Sequence, residues 1–255
     1  MTGDISGKSA FVTGAASGLG RAIALRLATD GAHVWVADIA KDRGEDVVAE
    51  IRLGGGAASF VHCDVTDLDN VRAAAAEAGD VDILVNNAGF DRPNFFLQTE
   101  PSLWDDLIAV NLKGVLNCTY AFAETISERC RETGYGRIVN IASDAGRVGS
   151  MGEAVYAATK GGVIAFTKSM ARELARDRVT VNAVCPGPAE TPMTEGIKQD
   201  PMGSKMMDLM IMVTPFKRLV APEEVADAVA YFAGQQARFV TGQVLSVSGG
   251  LTMSG

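Results

Sequence analysis

Residues 11 to 38 read FVTGAASGLGRAIALRLATDGAHVWVAD, and the order of signals within them decides the fold. A short apolar run enters a turn with glycines at 14, 18 and 20, a helix-length stretch follows, and a second β-branched and aromatic run ends on Asp38. Strand, glycine turn, helix and strand in that order make one parallel βαβ unit. Gly14, Gly18 and Gly20 allow a tight turn, a close approach of backbone to a phosphate, and close packing of the helix on the sheet. The helix that starts there offers unpaired N–H groups and positive dipole to an anion. The spacing is G-x3-G-x-G, not the commoner G-x-G-x-x-G, with Ser17 and Leu19 filling the turn.

Asp38 stands 18 residues past Gly20, at the carboxyl end of the second run, where a carboxylate accepts hydrogen bonds from adenosine ribose hydroxyls. A carboxylate there repels a 2′-phosphate, so the reading predicts NAD(H) over NADP(H). Neither Ser17 nor the following Ile39 supplies the cation that a 2′-phosphate requires; Lys41 and Arg43 are the cations close enough in sequence to argue otherwise.

The same grammar continues along the chain. Apolar runs at 9–14, 33–38, 58–64, 81–89, 136–143, 179–187 and 242–250 alternate with helix-length segments at 18–29, 41–53, 67–78, 102–132, 154–176 and 222–234. The runs are continuously apolar, as strands buried on both faces are. A single α/β domain over residues 1–255 is expected, a Rossmann fold whose doubly wound, seven-stranded parallel sheet carries helices on both faces. One segment breaks the rhythm. Residues 186–218 are too long for an ordinary connection, and six of the ten methionines fall between Met193 and Met212. A substrate lid at about 187–218 and a helix packed on the core or on a partner subunit are the two readings.

Composition excludes several functions. With 47% hydrophobic residues and a net charge of −8, the 255-residue chain can build a large core but lacks the clustered Lys and Arg of a nucleic-acid or anionic-membrane surface. No apolar run reaches the length of a membrane span and no signal-peptide core is visible, so a cytoplasmic protein is expected. Cys63, Cys118, Cys130 and Cys185 are scattered, which suggests neither a disulfide framework nor a zinc site. The two histidines, His33 and His62, both sit in strand-like runs and read as structural. Metal hydrolysis and Ser-His-Asp catalysis are poor fits, and no metal site is expected.

Chemistry must come from other groups. In YAATKGG, residues 156 to 162, Tyr156 and Lys160 stand at i and i+4, so on a helix they share a face about 5 to 6 Å apart at Cβ. An ammonium so placed favours phenolate over phenol, and an opposite charge at that range moves a pKa by about 1 to 3 units. That shift, joined by the positive charge of an oxidised nicotinamide, is expected to bring Tyr156 into range for general base work.

Set beside TGAASGLG at 13–20, CDV at 63–65, NNAG at 86–89, Asn111 in VNLKG, Ser143 in NIAS and PGPAET at 186–191, this pair completes a pattern that strongly resembles the short-chain dehydrogenase/reductase family over nearly the whole length. The resemblance implies a catalytic set of Asn111, Ser143, Tyr156 and Lys160. It implies that Asp64 and Val65 border the adenine, that Asn87, Ala88 and Gly89 line the adenosine side, and that Pro186, Gly187 and Thr191 face the nicotinamide carboxamide, with Tyr156 and Lys160 also touching the cofactor. Ser143 would hydrogen-bond the substrate oxygen, Tyr156 take or give its proton, and Asn111 hold a water that connects Lys160 to solvent. Ala189 departs from the larger aliphatic residue that many relatives carry. A homotetramer is the expected assembly.

Within the family, NNAGFD, TEP, the stretch 136–162, VCPGP and the C-terminal TGQVLSVSGGLTMSG look most like bacterial NAD-linked dehydrogenases of cyclic β-hydroxyacyl-CoA thioesters such as 2-hydroxycyclohexanecarboxyl-CoA. The scaffold also resembles 3-oxoacyl carrier-protein reductases, whose turn usually has Arg where this chain has Ser17. Asp144 is unusual after the serine; with Arg147 and Glu153 it occupies the loop before Tyr156. Ser143, Asp144, Glu153, Tyr156 and Met193 are the substrate candidates, an Asp144–Arg147 salt bridge being the plainer reading of the first loop. A ketoreductase for bulky apolar alcohols and a cofactor-binding regulatory protein stay as alternatives, the intact Asn-Ser-Tyr-Lys set arguing against the second.

Overall fold

The seven apolar runs become seven strands in a computed structural model that describes residues 5–199 and 201–253. Strands β1 (Ser9–Thr13), β2 (His33–Asp38), β3 (Ala57–His62), β4 (Ile83–Asn86), β5 (Arg137–Ile141), β6 (Thr180–Pro186) and β7 (Val244–Val247) form one sheet in the order 3-2-1-4-5-6-7. Every neighbouring pair is parallel. Parallel strands need crossovers, and the helices that supply them cover both faces. Ala10 and Val12 of β1 join the apolar layer under the helices on one side, while Phe11 between them joins the layer on the other. That alternation into two cores explains why the run shows no polar face.

The helices are α1 (Gly18–Thr29), α2 (Lys41–Leu53), α3 (Leu68–Ala78), α4 (Pro101–Ile108), α5 (Gly114–Thr133), α6 (Ala145–Val148), α7 (Ala154–Glu173), α8 (Pro192–Lys198), α9 (Pro201–Val213) and α10 (Pro222–Ala233). Gly44 of α2 shows what their close packing costs in side chain: a Cβ there would lie 2.4 Å from the Phe60 ring.

Two features correct the expected outline. The stretch 102–132 is not one helix, because a π turn at Ala109–Lys113 separates α4 from α5, with the Gly114 N–H reaching back to the Ala109 carbonyl. The extra residue in the turn buries Asn111, and Gly114 then lies so close to the β3 loop that a Cβ would meet Val65 at 2.7 Å. The insertion, in turn, is ordered as α8 and α9. Both begin with proline, Thr191 caps the first, and Gly203 lets the second lie against it, since a Cβ there would stand 2.2 Å from the Ile197 carbonyl. Asp200 between them, like residues 1–4, 254 and 255, lies outside the described residues.

Strand order reverses direction between β1 and β4, so the crossovers leave the sheet on opposite sides there and open a crevice at the carboxyl ends of the strands. The segments that follow β1 to β6, loops together with the first turns of α1, α7 and α8, carry nearly every residue singled out above. Among the described residues no helix is long and apolar enough to cross a membrane, and no group of His, Cys, Asp and Glu could hold a metal ion.

Candidate active site

A cavity of about 630 Å³ fills the crevice. All the candidate residues line it except Asn111. At one end, backbone geometry sets the shape. Gly14 has φ of 64° and Gly18 of 54°, and a Cβ on Gly20 would lie 2.1 Å from the Gly14 carbonyl oxygen, so side chains are excluded by rigid backbone. Ser17, at the N-cap of α1, makes no side-chain cap, and the first turn holds no acidic residue, which leaves the helix N-terminus facing the cavity for an anion. Thr191, at the N-cap of α8, closes this turn from the other side: its methyl lies 3.5 Å from a Cβ on Gly18.

Asp38 stands beside the glycine turn. Its carboxylate accepts from the Ala16 N–H at 3.0 Å and the Ala40 N–H at 2.9 Å, fixing it at the mouth of the glycine turn. Lys41 is exposed and leans toward Glu45 at 3.8 Å, and Arg43 is exposed. Among the described residues Lys160 is the only Lys, Arg or His on the cavity wall. The fit test for a dinucleotide is therefore met: a cradle that any Cβ would fill, a free helix N-terminus and a carboxylate where ribose hydroxyls would sit, with no cation beside it for a 2′-phosphate.

Several expected contact residues are occupied with bracing. The Asn87 amide donates to the carbonyls of Thr13 (2.9 Å) and Gly14 (3.2 Å), while the Asn87 and Ala88 N–H groups donate to Thr13 Oγ1 at 2.9 and 3.0 Å. The second motif asparagine thus holds the glycine turn in place. Asp64 closes its own loop, accepting from the N–H and hydroxyl of Thr66 at 2.9 and 2.7 Å. Asn111 is fully buried, with its amide donating to the Phe90 carbonyl at 2.8 Å and its oxygen accepting the Phe90 N–H at 3.0 Å. Its side chain pins the backbone next to Gly89.

At the other end stand Ser143, Tyr156 and Lys160. Ser143 ends the loop after β5; its hydroxyl accepts from the Ala145 N–H at 3.1 Å and is hydrogen-bonded to the Tyr156 phenol. Lys160, one turn along α7, is buried, donates to the Ile141 carbonyl at 2.9 Å, and lies 5.7 Å from the centre of the Tyr156 ring. Small neighbours permit this. Gly146 packs so tightly on α7 that a Cβ would touch the Gly161 N and the Lys160 backbone at 2.6 Å, while a Cβ on Gly161 would meet the Gly146 carbonyl oxygen at 3.2 Å.

The electrostatics run against the simple expectation for the phenol. Burial, then the charges of Asp91 and Glu153, push the Tyr156 pKa well above its ordinary value, against the help of the Ser143 hydrogen bond. Lys160 is spent on Ile141 and does not outweigh them. Burial drags the lysine itself down to about 8, opposed by Cys185 and Asp91. Asp91 is a member of this site that the motifs did not single out. Its carboxyl is hydrogen-bonded to Glu153 and driven up to about 8, first by burial and then by the Glu153 charge. The FD that follows NNAG was quoted for resemblance alone, and nothing in sequence pairs position 91 with 153.

Beyond Tyr156 the wall turns apolar, with Val148, Met193, Ile197, Met207 and Met210 on it. Met193, the one methionine named beforehand, is 41% exposed, while Met207 is buried. Met206 reaches across to Gly152, where a Cβ would stand 3.0 Å from its methyl, tying α9 to the loop before α7. Asp144 is on the wall too, but its carboxylate turns toward Ser246 of β7 at 2.7 Å, and the expected Arg147 partner is at 3.5 Å. Leu251 and Thr252, past β7, complete the lining; the C-terminal stretch that contains them was quoted for resemblance alone, and nothing in sequence assigns them to the cavity.

Similarity to known proteins agrees with this geometry. A family model described as enoyl-(acyl carrier protein) reductase matches residues 14–252. The chain is 41% identical to the 3-oxoacyl-[acyl-carrier-protein] reductase FabG of Staphylococcus aureus, over 96% of this chain and 98% of that one. An actinorhodin polyketide ketoreductase solved with NADPH superposes with a TM-score of 0.88 at 38% identity, covering 98% of this chain and 99% of that one. A 3-oxoacyl-[acyl-carrier protein] reductase from Brucella melitensis with bound NAD gives 0.87 at 33% identity, covering 98% and 93%.

Proposed function

The chain belongs to the short-chain dehydrogenase/reductase family, and from that premise we propose that it is an NAD(H)-dependent enzyme interconverting a β-hydroxyacyl thioester and its β-keto form. The family makes it an oxidoreductase that uses a nicotinamide dinucleotide and acts on a CH–OH group. The observation that carries the finer reading is the hydroxyl pair of Ser143 and Tyr156, set above an apolar pocket in a wall whose only cation among the described residues is Lys160. NAD is favoured because Asp38 occupies the ribose position without a cation beside it.

The turn from Gly14 to Gly20 and the α1 N-terminus would hold the pyrophosphate, Asp38 the adenosine ribose, Asp64 and Val65 the adenine, and Pro186, Gly187 and Thr191 the carboxamide. When bound, the dinucleotide supplies or takes the hydride at the substrate carbon. Ser143 donates to the substrate oxygen and fixes it at hydrogen-bonding distance from Tyr156. Tyr156 gives its proton to that oxygen in ketone reduction and takes it back in alcohol oxidation. Lys160 favours the phenolate that each reduction leaves behind, and Asn111 keeps the Gly89–Phe90 backbone from closing on the ammonium.

Val148, Ile197 and the methionines of α8 and α9 suit a cyclic or medium-length acyl group, with 2-hydroxycyclohexanecarboxyl-CoA as the leading candidate and α8–α9 as its lid. Among the described residues the apolar end of the wall carries no cation beyond Lys160, so the nucleotide end of a coenzyme A is assigned outside the cavity. Acyl-carrier-protein thioesters share the reacting group, and the names of the similar reductases favour them as the alternative carrier. Exposed apolar side chains on α5 and β7, Tyr120 and Leu245 among them, suit the contacts of a homotetramer.

The test is a panel of β-hydroxyacyl-CoA thioesters, enoyl-CoA and free secondary alcohols offered with NAD and with NADP. Turnover is expected with a cyclic or medium β-hydroxyacyl thioester and NAD; failure with every thioester sinks the substrate assignment. Removing the general acid–base should cost ~10²–10⁴-fold, so Tyr156→Phe is expected to lose turnover while still quenching with NADH. Near-native turnover in that variant ends the assignment of Tyr156.

A further inference from the structure

Asp144 follows Ser143 in the chain, yet its carboxylate is turned away from the reacting groups. It is 3% exposed and accepts the Ser246 hydroxyl of β7 at 2.7 Å. Ser246 Oγ lies in turn 2.9 Å from the Ser248 hydroxyl and 3.5 Å from that of Thr252. On its backbone side Asp144 donates to the Pro186 carbonyl at 3.3 Å, and the neighbouring Gly187 N–H donates to the Val247 carbonyl at 3.0 Å. Arg147 Nη1 approaches the other carboxylate oxygen at 3.5 Å. Three segments of the cavity wall meet at this one buried group: the loop of Ser143, the Pro186–Gly187 turn and the Thr252 tail.

We infer that Asp144 is a positioning residue, whose carboxylate ties the loop carrying Ser143 to strand β7 and so holds the serine hydroxyl against Tyr156. The inference rests on the acid–base reading of Ser143 and Tyr156 given above. A buried carboxylate survives only with hydrogen bonds to satisfy it, and here the donors come from a strand 102 residues away and from the same loop. Ser143 is the residue next to it, so any drift of the loop relative to β7 moves the hydroxyl directly. Gly187 fixes the other side of the joint: a Cβ there would lie 2.9 Å from that of Ser248, so the turn and the strand already touch and the loop has one register to adopt.

The experiment compares Asp144→Ala, Asp144→Asn, Ser246→Ala and the double Asp144→Ala/Ser246→Ala with the native protein and Tyr156→Phe, reading kcat, KM and NADH affinity on a substrate that the native protein turns over. Because misplacing a reacting group by 1 Å costs up to ~10²-fold, Asp144→Ala is expected to lower kcat by about tenfold or more with NADH affinity within about twofold of native. Asp144→Asn, whose amide oxygen still accepts from Ser246, recovers most of that loss. Ser246→Ala falls in the same direction, and the double variant is no worse than Asp144→Ala, since both cut one connection. Native kcat in Asp144→Ala overturns the inference, as does additivity in the double variant or an Asn variant as impaired as the Ala one. If Asp144→Ala does not fold, native kcat in Ser246→Ala is decisive against it. A Tyr156→Phe protein that keeps its turnover condemns the parent reading instead, whatever Asp144 does.

Discussion

The two ends of the cavity are built on different principles. At the cofactor end, main chain is held by short, hydrogen-bonded side chains: the Thr13 hydroxyl and the Asn87 amide brace the turn, and the nearest neighbours of a Cβ on Gly20 are the Gly14 carbonyl and that braced amide. At the substrate end, side chains meet side chains: Met193, Met207 and Met210 on α8 and α9 face Val148, and unbranched thioethers re-pack at little cost. A site that must hold one dinucleotide in one pose is fixed by main chain. The apolar end, where the substrate is proposed to sit, is left to residues that adjust.

The contrast predicts a gradient of sensitivity. The largest effect belongs to Gly20→Ala, where a methyl 2.1 Å from a carbonyl oxygen forces the turn apart. Overpacking of this kind costs ~1–3 kcal/mol, and NADH affinity is expected to fall by about tenfold to a hundredfold, measured by fluorescence titration with thermal melting alongside. Affinity within a few-fold of native breaks the idea that backbone fixes this end. Next comes Asp38→Ala, which removes the carboxylate but not its setting. The NADH over NADPH preference in kcat/KM is expected to drop by about tenfold, as losing ~1.4 kcal/mol of discrimination does; a native protein that already prefers NADPH contradicts the reading.

Asp91→Asn acts at the boundary between the two ends. The Asp91–Glu153 pair keeps a proton to about pH 8 and then ionises, and the new negative charge beside Tyr156 opposes loss of the phenol proton. Removing the Asp91 charge should therefore ease that loss, moving the alkaline-favoured rise of alcohol oxidation toward lower pH by about one unit. An unmoved profile in Asp91→Asn shows that the pair does not govern the phenol. The smallest effect is expected at Met210→Leu, a volume-conserving change in an adjustable wall, with substrate KM altered by less than about threefold.

This gradient also marks what was legible in the sequence. Strands buried on both faces show as continuous apolar runs, so the seven strands were visible to within three residues at each end and the helices at 18–29 and 41–53 at their observed bounds. The glycine turn and Asp38 were equally plain, because a backbone constraint leaves glycine at fixed spacing. The π turn at 109–113 was hidden, since AVNLK contains neither Gly nor Pro and the extra residue is accommodated through the Asn111 amide and Gly114, contacts made with segments far away. Tyr156 was expected to be lowered by Lys160, a neighbour one turn along. The opposing groups, burial and Asp91, come from another part of the chain, where spacing carries no information. For Asp144 the sequence offered a local Arg147 partner or a substrate contact, and the hydroxyl of Ser246 stayed hidden for the same reason: it lies in the last strand.

The lone cation of the cavity has a consequence for the protein's response to its solution. A pyrophosphate gripped by arginines on an open surface would loosen as dissolved ions crowd around both partners. Here the anion would meet amide hydrogens and a helix terminus inside the crevice, and Lys160 is sealed from water. Screening acts through solvent and falls off for groups that solvent does not reach. Cofactor affinity should then hold nearly constant from dilute buffer to high salt, leaving the enzyme's grip on its dinucleotide independent of the ionic strength around it.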